Sequence, residues 1–159
     1  MSTVKFISDP HIGHKKMAEW RGFKSIEEHD EHIISSIQNN VVKRDLLYIL
    51  GDLTMEKENY KWLDRIECNK KVILGNHDLG KHVPKLLQHV NEVSSVKYLR
   101  KYKIILTHIP IHESELDRFK LNIHGHIHLN TLPDKRYLNV CCEILNYKPI
   151  SLDEVLQIL

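Results

Sequence analysis

The sequence has few of the residues that interrupt or crosslink a chain, with 6 glycines, 5 prolines and 3 cysteines among 159 residues. So little glycine and proline excludes collagen-like and low-complexity chains. The three cysteines cannot all pair with one another, and Cys141 and Cys142 are adjacent, which indicates a reducing compartment. We therefore expect a cytoplasmic protein without a disulfide framework, whose cysteines pack in the core.

Two further absences concern membranes and charge. No apolar run approaches the roughly 18–20 residues of a membrane-spanning helix, and residues 1–9 do not read as a secretory signal, so we expect no membrane partner. The 23 basic and 21 acidic residues nearly cancel. This balance argues against a protein that mainly coats nucleic acid but leaves room for a nuclease with a local basic patch. The length predicts a single domain over residues 1–159.

The residue type in excess is histidine, with 12 in the chain. Hydrophobic patterns predict strands at Thr3–Ser8, Asp45–Leu50, Lys71–Leu74, Val93–Leu99, Lys103–Thr107, Leu121–His124 and Arg136–Cys141. Helices are predicted from a capping box at Ser25 and Glu28 to about Asn39, over Glu56–Glu67, over Lys81–Asn91, and from a second capping box at Ser151 onward. The early alternation of strands and helices predicts a parallel α/β core. The later run of strands predicts a mixed sheet or a second sheet.

Polar residues that can bind metal follow five of the predicted strands. Because ligands of open α/β sheets sit at the carboxyl ends of the strands, we expect these residues to face one edge. They are Asp9, His11, Asp52, Asn76, His108, His126 and His128. Mixed oxygen and nitrogen donors suit manganese, iron, zinc, nickel or cobalt better than calcium or magnesium, and no thiolate accompanies them as in structural zinc sites. Seven donors exceed one tetrahedral zinc and match two ions that share a carboxylate, an arrangement suited to phosphate-ester hydrolysis.

The order of these segments carries a resemblance to a known family. The motifs Asp-x-His, Gly-Asp, Gly-Asn-His-Asp, a lone histidine after a strand and Gly-His-x-His begin at residues 9, 51, 75, 108 and 125. In this order, from about residue 4 to residue 130, the chain resembles the calcineurin-like metallophosphoesterase superfamily. It looks most like the short single-domain phosphodiesterases of bacteria, archaea and phages. The resemblance implies an α/β fold with a βαβαβ core, in which a two-layer mixed β-sandwich is flanked by helices.

The resemblance also implies a role for each motif residue. It divides the ligands between two divalent ions, with manganese the first expectation and iron, nickel, cobalt or zinc the alternatives. The first ion would be held by Asp9, His11 and His128, the second by Asn76, His108 and His126, and both by Asp52. A hydroxide between the ions would attack phosphorus in line. His77 would assist the leaving group as a general acid, and Asp78 would orient the His77 ring.

Three further residues are predicted to contact the substrate: His14, Arg21 and His112. His14 and Arg21 lie in the predicted loop before the first helix, where a similar segment occurs in short family members. Arginine is well shaped for bidentate phosphate binding. Trp20 is either a core residue or a platform for base stacking. The expected partner is a phosphate ester, either a small molecule or a nucleotide, and the sequence specifies no oligomer.

Several functions remain open within this resemblance. Phosphodiester hydrolysis is favoured over monoester hydrolysis. A nuclease acting on DNA or RNA would use the same site, with the basic pairs at residues 15–16, 43–44 and 70–71 as phosphate contacts. A phosphomonoesterase or a non-catalytic scaffold is less expected, the scaffold because all seven ligands are present. Protein phosphatase activity is not favoured, because no Asp-Arg-Gly segment follows Gly51-Asp52 and the third motif ends in Asp78. Met55 stands where the family's repair nucleases often have histidine.

Overall fold

The computed structural model describes residues 3–55 and 59–159, which form two β-sheets with helices outside them. The strands in chain order are β1 (Val4–Ile7), β2 (Leu46–Ile49), β3 (Asn69–Ile73), β4 (Glu92–Ser94), β5 (Lys97–Leu99), β6 (Ile104–Leu106), β7 (Leu121–His124), β8 (Tyr137–Asn139) and β9 (Ile150–Ser151). The first sheet has the order β4-β3-β2-β1-β9, and the second has the order β5-β6-β7-β8. Neighbouring strands are parallel except at β9 and β5, which are antiparallel to β1 and β6. Both sheets are therefore mixed, and the predicted fold class is confirmed.

Alternation of side chains explains the layering. In the first sheet, Phe6, Tyr48 and Ile73 pack with Ile104 and Ile123 of the second sheet, forming the core between the sheets. The intervening residues of the same strands belong to a second core on the other face, where they pack against helices. Strands buried on both faces in this way have the continuous apolar sequence seen in β2.

Four α-helices accompany the sheets: α1 (Lys15–Trp20), α2 (Ile26–Asn39), α3 (Val83–Leu86) and α4 (Leu152–Ile158). The predicted bounds of α2 are confirmed, with Ser25 Oγ accepting from the Glu28 amide at 3.1 Å. The second capping box is complete, because the side chains of Ser151 and Glu154 each bind the other's backbone. No helix in the described ranges is long and apolar enough to cross a bilayer.

Four predicted elements differ from the structure, and the short strand β9 is not among the predictions. The predicted helix at 56–67 is a 3-10 turn at Lys61–Arg65, and its residues 56–58 lie outside the described part of the chain. The predicted helix at 81–91 shrinks to α3, since i to i+3 bonds tighten the chain after Leu86. The predicted strand at 93–99 divides between β4 and β5, which belong to different sheets. Helix α1 replaces a predicted loop, with His14 Nδ1 capping its first turn at 3.0 Å.

One buried carboxylate joins the start of the chain to β2. The side chain of Asp45 is 1% exposed and accepts from the amides of Thr3 at 3.1 Å and Val42 at 3.0 Å. Lys5 Nζ lies 3.4 Å from Asp45 Oδ2. Burial opposes ionisation, but these donors outweigh it and lower the pKa of Asp45.

Asp45→Asn is expected to lower the free energy of unfolding at neutral pH by about 1–3 kcal/mol, because an amide NH₂ would face hydrogen-bond donors. The folded pKa lies below the unfolded one, so the carboxylate stabilises the fold above about pH 4, and this stabilisation is lost as the pH falls through the folded pKa. Urea unfolding should therefore show a difference in the free energy of unfolding between wild type and variant that becomes smaller from about pH 7 to about pH 3. A difference of the same size at both pH values would contradict the role of the ionised carboxylate.

Candidate metal centre

The metal-binding candidates gather where parallel strands of both sheets end. Asp9, Asp52 and Asn76 follow β1, β2 and β3 of the first sheet. His108 follows β6 of the second sheet, and His126 and His128 follow β7. Because these parallel strands run in the same direction within each sheet, their carboxyl ends bring the side chains together.

The backbone at this edge adopts a conformation that L-residues rarely take. Among the described non-glycine residues, eight have a positive φ, and five of these are predicted ligands: Asp9 (59°), His11 (49°), Asp52 (53°), His126 (71°) and His128 (50°). Each such residue costs of order 1–3 kcal/mol and persists only where the surroundings enforce it, so that such residues cluster at functional sites. Among the described residues, the strained backbone is therefore concentrated at the predicted site.

Two motif positions must be glycine, because the backbone there lies too close to the ligand carboxylates to leave room for a Cβ. A Cβ at Gly75 would overlap the carboxylate of Asp52, and a Cβ at Gly125 would overlap Asp9 Oδ2 and Ser8 Oγ. The glycine before Asn76 and the glycine before His126 therefore let the loops of different strands meet around the two aspartates.

The carboxylate of Asp9 is oriented by hydrogen bonds to one of its oxygens. Oδ2 accepts from Ser8 Oγ at 2.6 Å, from the His126 amide at 2.9 Å and from Cys141 Sγ at 3.2 Å. Oδ1 is buried without a partner among the described residues and lies 3.5 Å from His11 Nε2. Burial opposes ionisation, but His11, His108 and these donors hold the pKa of Asp9 well below its usual range. Asp9 is therefore a charged carboxylate whose Oδ1 has no hydrogen-bond partner among the described residues and faces the His11 ring.

The carboxylate of Asp52 lies between two groups of donors. Its Oδ1 accepts from the His77 amide at 3.0 Å, which leaves Oδ2 directed inward. Oδ2 is 3.7 Å from His11 Nε2 and 3.4 Å from His108 Nε2. Contacts with His108 outweigh the effect of burial and lower the pKa of Asp52.

The second group of donors centres on His108. Its Nδ1 donates to the Leu50 carbonyl at 2.6 Å, so Nε2 is the nitrogen available to a metal ion. That nitrogen lies 2.9 Å from Asn76 Oδ1, and the ring is 5.1 Å from that of His126. Burial, with His108 next to it, lowers the pKa of His126 and favours the neutral ring that a metal ligand requires.

These donors fit metal ions in number, chemistry and geometry. Ligand atoms lie within 4.8 Å of one another in each of three groups: Asp9 with His11 and Asp52, Asp52 with His108 and His126, and Asp9 with His128 and Cys141. Both ring nitrogens of His11 and Oδ1 of Asp9 are buried without a hydrogen-bond partner among the described residues. Buried polar atoms are normally satisfied, and a cation among them would satisfy these. That the seven residues bind metal stays a prediction, which this convergence supports.

The structure gives Asp78 a different role from the predicted one. Its carboxylate accepts from the amides of Asp52 at 2.7 Å, Gly75 at 2.8 Å and Leu53 at 3.1 Å. Among the described residues it forms no hydrogen bond with the His77 ring. Asp78 therefore fastens the loop after β3 to the loop after β2, and the predicted orientation of His77 by Asp78 is corrected. His77 is exposed, with its ring 5.8 Å from that of His11.

The three predicted substrate contacts occupy different positions. The ring of His14 lies 5.7 Å from that of His11, at the edge of the site. His112 is exposed, and its Nδ1 accepts from the Ser114 amide at 3.2 Å at the start of a 3-10 turn. The side chain of Arg21 is 0% exposed and bonds Glu143, so it cannot reach a substrate. The prediction that Arg21 faces the phosphate is wrong, because the short helix α1 turns it inward.

Sequence reasoning missed three residues around the predicted ligands. Ser8 and Cys141 hold Asp9, and Glu143 accepts from His128 Nδ1 at 3.2 Å and raises the pKa of that ring. Burial and the nearby Asp9 carboxylate raise the pKa of Cys141, so this thiol is a hydrogen-bond donor to Asp9 rather than a thiolate. Ser8 could have been suspected from its position before Asp9. Nothing in the local sequence marks Cys141 or Glu143.

Known proteins resemble this chain in sequence and in fold. The chain is 31% identical to an uncharacterized protein of Methanocaldococcus jannaschii over 172 aligned residues, which cover 100% of this chain and 92% of the relative. It is 30% identical to the gene 66 protein of Mycobacterium phage L5, over 80% of this chain and 78% of that protein. A crystal structure of a protein of unknown function from Aquifex aeolicus superimposes with a TM-score of 0.77 and 26% identity, over 100% of both chains.

The match to a family covers both sheets and the candidate site. Residues 3–141 correspond to the calcineurin-like phosphoesterase superfamily domain, which includes every predicted ligand. Family membership indicates a metal-dependent hydrolase, and the clusters of aspartate and histidine could hold the divalent ions that the family typically binds. The chain belongs to the calcineurin-like phosphoesterase superfamily.

Proposed function

We propose that the protein is a phosphodiesterase that depends on two divalent metal ions. The observation that carries this proposal is the position of Asp52 Oδ2, which lies 3.7 Å from His11 Nε2 and 3.4 Å from His108 Nε2. One carboxylate oxygen between two imidazoles, each with further donors beside it, is the arrangement expected of a bridging ligand. Asp9, His11 and His128 would hold one ion, and Asn76, His108 and His126 the other.

Metal ions bound here would supply a nucleophile at neutral pH and neutralise charge on the phosphate oxygens, and manganese is the ion we expect. The protein's own contribution is to keep the ligands in place. Three amides hold Asp78, and Asp78 in turn keeps the loops that carry Asp52 and Asn76 together. His77 is exposed beside this centre, where its ring can donate a proton to a leaving oxygen.

A cavity beside the site has room for an organic group of the substrate. It measures about 290 Å³ and opens next to Asn76 and His77, with Met55, Tyr60 and Leu79 among its other walls. Because the cavity adjoins the proposed general acid, it suits the organic group on the departing oxygen, which monoesters and diesters both carry. The preference for diesters therefore stays a prediction for kinetics to test.

The experiment compares a chromogenic diester, bis-p-nitrophenyl phosphate, with the monoester p-nitrophenyl phosphate. We expect protein stripped of metal by a chelator to be inactive, and added manganese to restore hydrolysis with the higher kcat/KM on the diester. A higher value on the monoester would make the protein a phosphomonoesterase. No hydrolysis of either substrate with manganese, iron, nickel, cobalt or zinc would favour a non-catalytic scaffold.

A nuclease is the second candidate, and the position of Trp20 favours it. This side chain is 53% exposed, although its ring lies edge-on 5.6 Å from that of His128. Lys16 occupies the same face of α1 one turn earlier. An exposed indole beside a lysine suits the stacking of a base from a nucleotide or a single strand. Cleavage of a single-stranded oligonucleotide that weakens steeply with salt would support this candidate, whereas activity confined to small diesters would exclude it.

The other basic pairs do not extend this surface. Lys70 is buried, and its Nζ donates to the Ile66 carbonyl at 2.7 Å. Lys71 pairs with Glu92 at 2.6 Å. The pair at 43–44 precedes β2, at the opposite end of that strand from Asp52. Phosphate contacts near the site would therefore come from α1 alone among the three predicted pairs.

A further inference from the structure

We propose that Glu143, held in place by Arg21, is a positioning residue that prepares His128 for the first metal ion. The inference rests on the proposed two-metal site and adds a residue that lies outside every sequence motif. Glu143 follows β8 by four positions, and its side chain is 6% exposed. Among the described ligand side chains, the one that Glu143 contacts directly is His128.

Arg21 is the anchor of this arrangement, because all five of its N–H donors are used. Nε and Nη2 lie 2.7 Å and 2.5 Å from Glu143 Oε1. Nη1 donates to the Pro10 carbonyl at 3.0 Å and to His29 Nε2 at 2.8 Å, and Nη2 also donates to the Asp9 carbonyl at 2.6 Å. A buried guanidinium with every donor satisfied has one available orientation, so Glu143 is held at a defined place.

The contact between Glu143 and His128 determines which ring nitrogen is available for metal. Oε1 of the carboxylate can only accept, so His128 Nδ1, at 3.2 Å, carries the hydrogen. The lone pair is then on Nε2, which lies 4.0 Å from the bare Oδ1 of Asp9. A carboxylate that fixes the tautomer and orientation of a histidine in this way also strengthens it as a ligand.

The same arginine supports the strained backbone of the first motif. The two carbonyls it binds belong to Asp9 and Pro10, and Asp9 and His11 on either side of Pro10 both have positive φ. Arg21 also binds His29 of α2. Because His29 Nε2 accepts from Arg21, its Nδ1 donates to Asp30 Oδ1 at 2.7 Å. The network thus joins α2, the loop after β1 and the segment after β8 behind one half of the site.

The other half of the site is supported differently. His108 is oriented by the Leu50 carbonyl at 2.6 Å, and no hydrogen bond among the described residues joins it to Arg21 or Glu143. Loss of Glu143 should therefore lower the affinity for the ion at His128 and leave the affinity for the other ion unchanged. This asymmetry distinguishes a positioning role from a general loss of stability, which would affect both ions.

The experiment measures manganese binding to the metal-free protein by titration calorimetry, for wild type and Glu143→Gln. We expect two ions in the wild type, and in the variant a loss of about 10–100-fold in affinity for one of them. Glu31→Gln is the matched control, since Glu31 forms an exposed ion pair with Arg65 at 2.7 Å and should leave both affinities unchanged. Glu143→Asp serves if the first variant does not fold, because it keeps a negative charge near the buried Arg21, while the loss of one methylene moves the shared oxygen away from His128 Nδ1.

A second measurement is independent of metal. Long-range ¹H–¹⁵N spectra of the metal-free protein should show the hydrogen of His128 on Nδ1 in the wild type and a shift toward Nε2 in Glu143→Asp, with His108 unchanged. If the variants bind both ions with wild-type affinity and the tautomer of His128 is unchanged, the inference about Glu143 is wrong, whereas the proposed two-metal site still stands. A wild type that binds no ion would overturn the proposed function as well.

Discussion

Asp52→Asn is expected to lower kcat/KM on the chromogenic diester by about 10³-fold, a loss of roughly 4 kcal/mol of transition-state stabilisation. The substitution is nearly isosteric. Asparagine can keep an oxygen at the position of Oδ1, where it accepts from the His77 amide, and replaces only the oxygen between His11 and His108. Because a bridging ligand serves both ions, manganese stoichiometry measured on the same samples should fall below two per chain.

The control for this variant is Asp117→Asn. Asp117 is 89% exposed and pairs with Arg136 at 3.0 Å, so the same chemical change at the surface should leave activity within about twofold of wild type. Both variants should unfold near the wild-type temperature when stripped of metal. Asp52→Asn with activity within about threefold of wild type and two bound ions would contradict the bridging role of Asp52.

His77→Gln is expected to show an effect that depends on the leaving group. A general acid matters when the departing oxygen needs a proton, and its removal then costs about 10²–10⁴-fold. For p-nitrophenolate, which departs without protonation, kcat should fall by less than about tenfold. For a diester with an alkyl leaving group, kcat should fall by the full amount. Side-by-side kinetics with the two substrates measure this difference.

His32→Gln is the control for His77→Gln. His32 is an exposed residue of α2 whose ring lies beside those of Phe23 and Tyr147, so we expect activity close to wild type on both substrates. His112→Gln tests separately the prediction that His112, which is exposed and caps a 3-10 turn, contacts substrate. Equal losses on both leaving groups in His77→Gln would indicate that His77 binds the phosphate rather than donating a proton.

Much of the site follows from sequence because its residues are adjacent to strand ends. A strand such as β2 is recognisable from continuous apolar residues, and the polar residue that ends it must then lie at the edge of the sheet. Asp52 and His108 could be paired in this way although 56 positions separate them in the chain. The family and the two-sheet fold, both predicted from the motifs, are confirmed.

The supporting residues could not be predicted in the same way. The sequence predicts that Arg21 faces the phosphate, because arginine is well shaped for bidentate phosphate binding, yet its side chain is buried against Glu143 after α1. Its partner Glu143 lies 122 positions away and belongs to no motif. The resemblance implies that Asp78 orients its sequence neighbour His77, but Asp78 accepts hydrogen bonds from three amides of two loops. Hydrogen bonds between distant segments depend on how the segments pack, and local patterns do not contain that information.

The sequence by itself determined which residues can bind metal and along which edge they lie, since strand periodicity and residue chemistry are local properties. Only the tertiary structure decided which oxygen of Asp9 is bare, which nitrogen of His128 is free and which charged side chains are buried behind them. Those choices depend on hydrogen bonds from Ser8, Cys141 and Glu143. The loops brought together by the two sheets place these donors, because a buried polar atom must find its partner in whatever segment packs against it.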